Sequence, residues 1–324
     1  MIGRTASLLA ALAALSACAP AKAPLPRAPV GAGAGVAVQA APVPLNPADP
    51  AQAPIGAFRY AGGVALTSEE TARLHGLSDL RIDDGGRLTA ISDEGDLLRA
   101  RIVLDAAGRL TGLADARISA LPGLDGQPLP GKLAADAEGL AVLPNGDLLV
   151  SFEQQHRIWL YPAGGGAPRA VPAPATGFPP NGGMEALTLD PAAGADADAY
   201  VAGGEESGQT FACRLGGSCV PAPPVEKPPE FGLVAMTGLP QGRTAYLLRA
   251  FDPLRGARVV LKIMGPAGEI DRLELGRPYT VDNFEGVTAV PGRGGAIRFY
   301  LLSDDNFQSI QRTLLLAFDW APKS

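Results

Sequence analysis

The chain has 324 residues, with 27 Lys and Arg against 33 Asp and Glu for a formal net charge of −6, and only 6% aromatic residues. A mildly acidic chain without a Lys/Arg block argues against nucleic acid as a partner. The low aromatic content argues against a broad stacking platform for sugars.

The chain opens with Arg4, the apolar run "ASLLAALAAL" and then "LSAC" ending at Cys18. A charged start, a short apolar region and small residues at the end form an export signal over residues 1–17, too short to span a bilayer as a mature helix. Leu15, Ser16, Ala17 and Cys18 resemble the lipobox of bacterial lipoproteins. That resemblance implies a lipidated Cys18 holding the chain to a membrane, with Ala19 pointing to the outer membrane and the folded part on the periplasmic side of the envelope. Residues 18–54 are almost wholly Ala, Pro, Gly and Val, a composition expected to give a flexible tether. The remaining chain, 55–321, is expected to fold as one domain and to be monomeric.

Strand-like runs bounded by Gly, Pro, Asn or Asp recur along this domain, and long stretches of helical period are hard to find. The first unit contains Leu77 to Asp83, Arg87 to Asp93, Leu97 to Asp105 and Leu110 to Leu121. The second is "EGLAVLPNGDLLVSFEQQHRIWLYP", and the third begins "MEALTLD" and continues to "CRLGGSC". The fourth covers "FGLVAMTGLPQGRTAYLLRAFDPLRGARVVLKIM", and the fifth begins "EGVTAVPG" and ends at "FDW". Repeats of this length built from four strands predict an all-β, β-propeller fold, with five units visible and five or six blades. The last unit shows three strands, and "FRYAGGVAL" at Phe58 is expected to supply the fourth, closing the ring between the two chain ends. A β-sandwich is the alternative. In "CRLGGSC", Cys213 and Cys219 are expected to pair in an oxidising compartment.

Three units start their first strand with an acid: "ADAEGLAV" with Asp136 and Glu138, "GGMEALTL" with Glu185, and "VDNFEGVTAV" with Asp282, Asn283 and Glu285. In a propeller these positions are equivalent corners around one mouth of the channel. A second acidic set follows the next strand: Asp93 and Glu94, Glu153, Glu205 and Glu206, and Asp304 and Asp305. Such oxygen donors suit calcium, whereas zinc would call for His or Cys. Asp136, Glu138, Glu185, Asp282, Glu285 and Asp304 are the metal candidates. The plainer reading is that these acids satisfy turns and strand ends.

The segments "GLSDLRID", "AADAEGLAVLPNGDLLVSFEQQHRIWLYP", "NGGMEALTLD", "FDPLRGAR" and "VDNFEGVTAV…YLLSDDNFQSIQRTLLLAFD" resemble the phytase-like family called "esterase-like activity of phytase". The resemblance runs from Phe58 to about Trp320. It implies a propeller and a link to phosphate-ester hydrolysis, in which carboxylates hold metal ions that bridge phosphates and activate water. The propeller phytases it is similar to have six blades.

On that reading Glu138, Glu153, Arg157, Glu185 and Glu285 are the catalytic candidates, with Glu153 and Arg157 as a pair. Arg249, Arg255, Arg258 and Arg312 are further candidate forks for a small phosphorylated ligand. Each Arg also has a structural use, Arg157 with Glu153 and Arg312 with Asp304 or Asp305. Leu248 stands where an acid often precedes such an Arg as Arg249. His156 is placed either as a proton shuttle or packed beside Trp159, and a serine triad on His75 or His156 lacks a nucleophile elbow. The two surviving functions are a calcium-dependent phosphoesterase and a non-catalytic propeller that binds a ligand or an envelope partner at the same mouth.

Overall fold

The computed structural model describes residues 28–194 and 198–321. The signal segment 1–17 and Cys18 lie outside the described residues. The domain is all-β, five antiparallel four-stranded sheets arranged in a ring as a five-bladed β-propeller. Blade 1 comprises Leu77–Ile82, Arg87–Ser92, Asp96–Leu104 and Leu110–Ala120. Blade 2 comprises Ala137–Val142, Leu148–Phe152, Arg157–Tyr161 and Arg169–Val171. Blade 3 comprises Ala186–Leu189, Ala199–Gly203, Thr210–Arg214 and Cys219–Ala222. Blade 4 comprises Gly232–Leu239, Arg243–Asp252, Gly256–Gly265 and Gly268–Leu275. Blade 5 takes Asn283–Pro291, Ile297–Asp304 and Leu314–Trp320 from the end of the chain and Phe58–Thr67 from its beginning.

Each first strand packs against the first strands of both neighbours, so the five close a ring around the axis. Its two faces are therefore both covered, and the sequence there is nearly continuous in apolar and small residues. The buried apolar side chains sort into five layers, one between each pair of neighbouring blades. The largest layer joins blades 4 and 5 and contains Leu247, Leu261, Phe299, Phe318 and Trp320. The turn between the first two strands of blade 2 is Asn145-Gly146, where Gly146 takes φ +89°, a left-handed value that a side chain would resist. The cysteine hairpin forms as expected, with Cys213 opposite Cys219 in the register and the two joined as a disulfide.

The expectation of a free tether to Pro54 does not hold for its described part. Ala34–Gly35 pairs with the outer strand of blade 1, and Gln39–Pro42 pairs with Phe58–Thr67 of blade 5. Tyr60 donates its hydroxyl to the Val43 carbonyl at 2.6 Å, and Leu45 is fully buried in the layer between blades 4 and 5. The physical reason is that an outer strand edge offers unpaired N–H and C=O groups to any extended chain. An Ala, Pro and Val segment can meet that need without showing a periodic apolar face. The segment thus crosses the seam between blades 5 and 1, where the two ends of the domain close the ring.

Candidate functional site: a carboxylate-lined mouth

Four first strands break register at one corresponding residue: Ser78, Glu138, Val234 and Glu285 are skipped in the pairing with the second strand. Glu185 holds the same place in blade 3, just ahead of Ala186–Leu189. A β-bulge re-aims the side chain it carries. Glu138, Glu185 and Glu285 lie near one another, the charge of each bearing on at least one of the others.

A second set of positions lies alongside. Asp93, Glu153 and Glu205 donate their backbone N–H to the carbonyls of Gly76, Asp136 and Gly183. Arg249 and Asp304 pair with Gly232 and Asn283. Those five partners each stand two residues ahead of the bulge position, so Asp93, Glu153, Glu205, Arg249 and Asp304 are equivalent across the blades. Both acidic sets therefore reach the same mouth, and Arg249 is the basic member of an otherwise acidic ring.

Arg249 organises one side of this mouth. It donates to Asn283 Oδ1 at 2.7 Å, to Glu205 Oε1 at 3.1 Å and to Glu285, and Asn283 in turn donates to Glu285 at 2.8 Å. On the other side Lys132 bridges Asp93 at 2.6 Å and Asp136 at 2.5 Å. Between them, ligand oxygens of Asp136, Glu138 and Glu153 lie within 4.8 Å of one another. Glu153 accepts from the backbone N–H groups of Gly182 and Gly183. One Asp93 oxygen is buried without a hydrogen-bond partner.

The electrostatics follow from burial of so many like charges. Burial first, then Glu185, Glu285 and Asp136, push the Glu138 carboxyl well above the usual carboxylate range. Glu185 is raised in the same way by burial and then by Glu205, despite Arg249. Asp304 is pushed up to about 9 by burial and by Glu285 and Asp93, and Asp93 to about 6 by burial against the opposing effect of Lys132. A hard divalent cation fits this donor set, because it needs oxygen ligands and supplies the charge that Arg249 and Lys132 leave uncompensated.

Of the residues picked out in the sequence, Asp136, Glu138, Glu153, Glu185, Glu285 and Asp304 gather at this mouth. Two do not join it. Asp282 faces Arg312 instead, at 3.4 Å. Arg157 makes no ion pair with Glu153 among the described residues. It donates to the carbonyls of Gln155 and Ala134 and lies over the rings of Phe152 and Trp159, 3.9 and 4.4 Å from their centroids. The reason lies in the pleat: Arg157 begins the third strand and points into the layer between blades, whereas Glu153 ends the second and points to the axis.

The remaining arginines are also accounted for. Arg255 pairs with Asp252 and Arg258 with Glu230, leaving Arg249 as the candidate fork that reaches the mouth. His156 packs against Phe178 and Gly183 rather than Trp159, with Nε2 facing the Pro179 carbonyl at 3.0 Å. His75 meets Asp305 through Nδ1.

One pair escaped the sequence reading. Asp79 is fully buried on the first strand of blade 1, and Arg81, two residues on, meets it at 2.9 Å. Arg81 donates to the carbonyls of Val287, Leu187 and Met236 of blades 5, 3 and 4, while Asp79 accepts from the Leu140 N–H of blade 2 at 2.9 Å. The pair thus links the first strands of the other four blades across the axis.

Solved structures with a similar fold include virginiamycin B lyase from Staphylococcus aureus, at 12% identity and TM-score 0.46 over 82% of this chain and 100% of that one. A streptogramin B lyase matches at 12% identity and TM-score 0.41 over 76% of this chain and 94% of that one. The likeness concerns the fold alone. No curated protein matches the chain. A family model described as phytase-like, esterase-like activity of phytase, matches residues 72–307. With that match covering most of its length, the chain belongs to the phytase-like family.

Proposed function

We propose that the mouth holds a divalent cation, calcium by its oxygen donors, and that the protein is a calcium-dependent phosphoesterase anchored in the cell envelope through Cys18. The observation that carries this reading is the convergence of Asp136, Glu138 and Glu153, whose ligand oxygens lie within 4.8 Å of one another beneath a ring of further acids. A bound cation would supply charge neutralisation for a phosphate and a more acidic water.

The chain's own groups have distinct tasks in this account. Asp136, Glu138 and Glu153 would hold the ion, and Glu185 completes the acidic wall beside them. Arg249 holds Glu205, Glu285 and Asn283 in place, and its guanidinium is the cation nearest to an incoming phosphate. Glu138, which shares a hydrogen bond with Asp136 and whose carboxyl is raised by burial and then by its acidic neighbours, would hold the ion as the carboxylate. A small opening of about 360 Å³ on the Arg249 side of the mouth is lined by Glu205, Arg249, Phe251, Asn283 and Glu285.

A non-catalytic binding propeller is the second reading, favoured by the full engagement of Arg249 with Glu205, Glu285 and Asn283. The test is hydrolysis of para-nitrophenyl phosphate and phytate with calcium and with chelator, beside Glu138→Gln. Calcium-dependent turnover that disappears in the folded variant supports the phosphoesterase. Absence of turnover while calcium still binds leaves the binding propeller.

A further inference from the structure

The opposite end of the ring carries a second cavity. It measures about 860 Å³ and lies where the first strands finish, with Arg81 at its floor. This cavity shares no lining residue with the opening beside Arg249, and the Arg81–Asp79 pair hydrogen-bonds across the axis to the other four blades. Its size falls within the range of small-molecule sites. Leu88, Val142, Leu189 and Leu239 form its apolar wall.

The polar groups on this wall follow from the repeat. Three residues past the bulge position, blade 1 places Arg81, and blades 3, 4 and 5 place Thr188, Thr237 and Thr288, which all line the cavity. Thr188 Oγ1 accepts from the Gly238 N–H at 3.1 Å, so its own hydroxyl proton is left to donate.

The arginines on the wall are paired with one exception. Arg81 pairs with Asp79 at 2.9 Å, Arg87 with Asp83 at 2.6 Å and Arg101 with Asp115 at 2.9 Å. Asp190 accepts from the Ala192 N–H and so closes its own turn. Arg99 lines the cavity without an ion pair or hydrogen bond among the described residues. Arg99 is exposed, so its guanidinium stands at the solvent-facing side of the cavity. A guanidinium in this position presents its fork to a planar anion.

We propose that this cavity is a second ligand site, taking a small organic carboxylate whose apolar body lies against Leu88, Val142, Leu189 and Leu239 and whose carboxylate meets Arg99. The site is independent of the carboxylate-lined mouth and of any activity there. It has the opposite preference in charge.

The test is calorimetric titration of the purified protein with decanoate and with decanol. Arg99→Glu is the site variant, and Arg169→Glu on the outer strand of blade 2, outside the cavity, is the control. Decanoate is expected to bind with one-to-one stoichiometry and to weaken about tenfold or more in Arg99→Glu, the change corresponding to about 1.4 kcal/mol. Arg169→Glu and Glu138→Gln should leave its affinity unchanged, and decanol should bind more weakly. The proposal is overturned if decanoate fails to bind, if Arg99→Glu binds it as wild type does, or if decanol binds equally well. Arg99 makes no contact on which folding depends, and unchanged thermal unfolding of the variant without ligand checks this.

Discussion

Asp79 and Arg81 meet at 2.9 Å on the axis of the ring, and between them they hydrogen-bond to the first strands of all four other blades. A ring of sheets has no central layer of its own, so this pair takes that role. Replacing Arg81 with Leu leaves the Asp79 carboxylate buried without its counter-charge. Urea unfolding should show a loss of about 3 kcal/mol or more. The double variant Asp79→Leu, Arg81→Leu should lose less than Arg81→Leu alone, because no orphaned charge remains.

Without a cation, the acids at the mouth oppose folding. Burial and the neighbouring carboxylates both oppose ionisation of Glu138, so Glu138→Gln in chelator at neutral pH should stabilise the protein by about 1 kcal/mol. The same variant should lose the stabilisation given by calcium. A melting curve with and without chelator measures both effects.

The pH dependence has a definite sign. Asp79, Asp93 and Asp96 are each raised to about 6 by burial. A carboxyl with a raised folded pKa contributes stability below its unfolded pKa near 4, and that contribution is lost as pH rises through the folded value. In chelator the melting temperature should therefore fall between about pH 4 and pH 6. Saturating calcium should flatten the upper part of this fall, and calcium binding should release protons, seen as a dependence of calorimetric heat on the buffer's ionisation enthalpy.

Much of this architecture was legible in the sequence. The five units, the closure by Phe58–Thr67 and the Cys213–Cys219 hairpin all follow from strand lengths and turn residues, and these act locally. The equivalence of Glu138, Glu185 and Glu285 was visible because each precedes the same apolar pattern. What the sequence hid was direction. Whether Arg157 points to the axis or into the layer over Phe152 depends on pleat and bulge, and neither leaves a mark in residue type. Asp282 differs from Glu285 in the same way. Asp79 and Arg81 looked like any two polar residues in a strand, because their partners are backbone groups on other blades. The docked segment from Ala34 to Ile55 was missed because its pairing is made by backbone rather than by periodic side chains.

The disulfide closes a short loop between blade 3's two outer strands. Reduction, or a Cys213→Ala, Cys219→Ala double variant, should cost about 2 kcal/mol by the chain-entropy relation for so short a loop. Because this hairpin lies far along the sheet from the axis, calcium affinity should remain unchanged, which a titration of the reduced protein checks.

Arg249 is the basic member of a ring position occupied elsewhere by Asp93, Glu153, Glu205 and Asp304. Arg249→Met should destabilise the calcium-free protein by about 2 kcal/mol or more, since Glu205 and Glu285 lose their shared partner. It should also enlarge the stabilisation that calcium confers, because more negative charge is left for the ion to neutralise.

The most direct test is thermal unfolding of the protein against calcium concentration, beside a Glu138→Gln, Glu153→Gln variant. A cation in the mouth predicts a melting temperature that climbs with calcium, by about 5 to 10 °C at a hundredfold excess over the dissociation constant, and a variant that stays folded and does not respond. An unchanged melting temperature in the wild-type protein, or an equal rise in both proteins, would contradict the account.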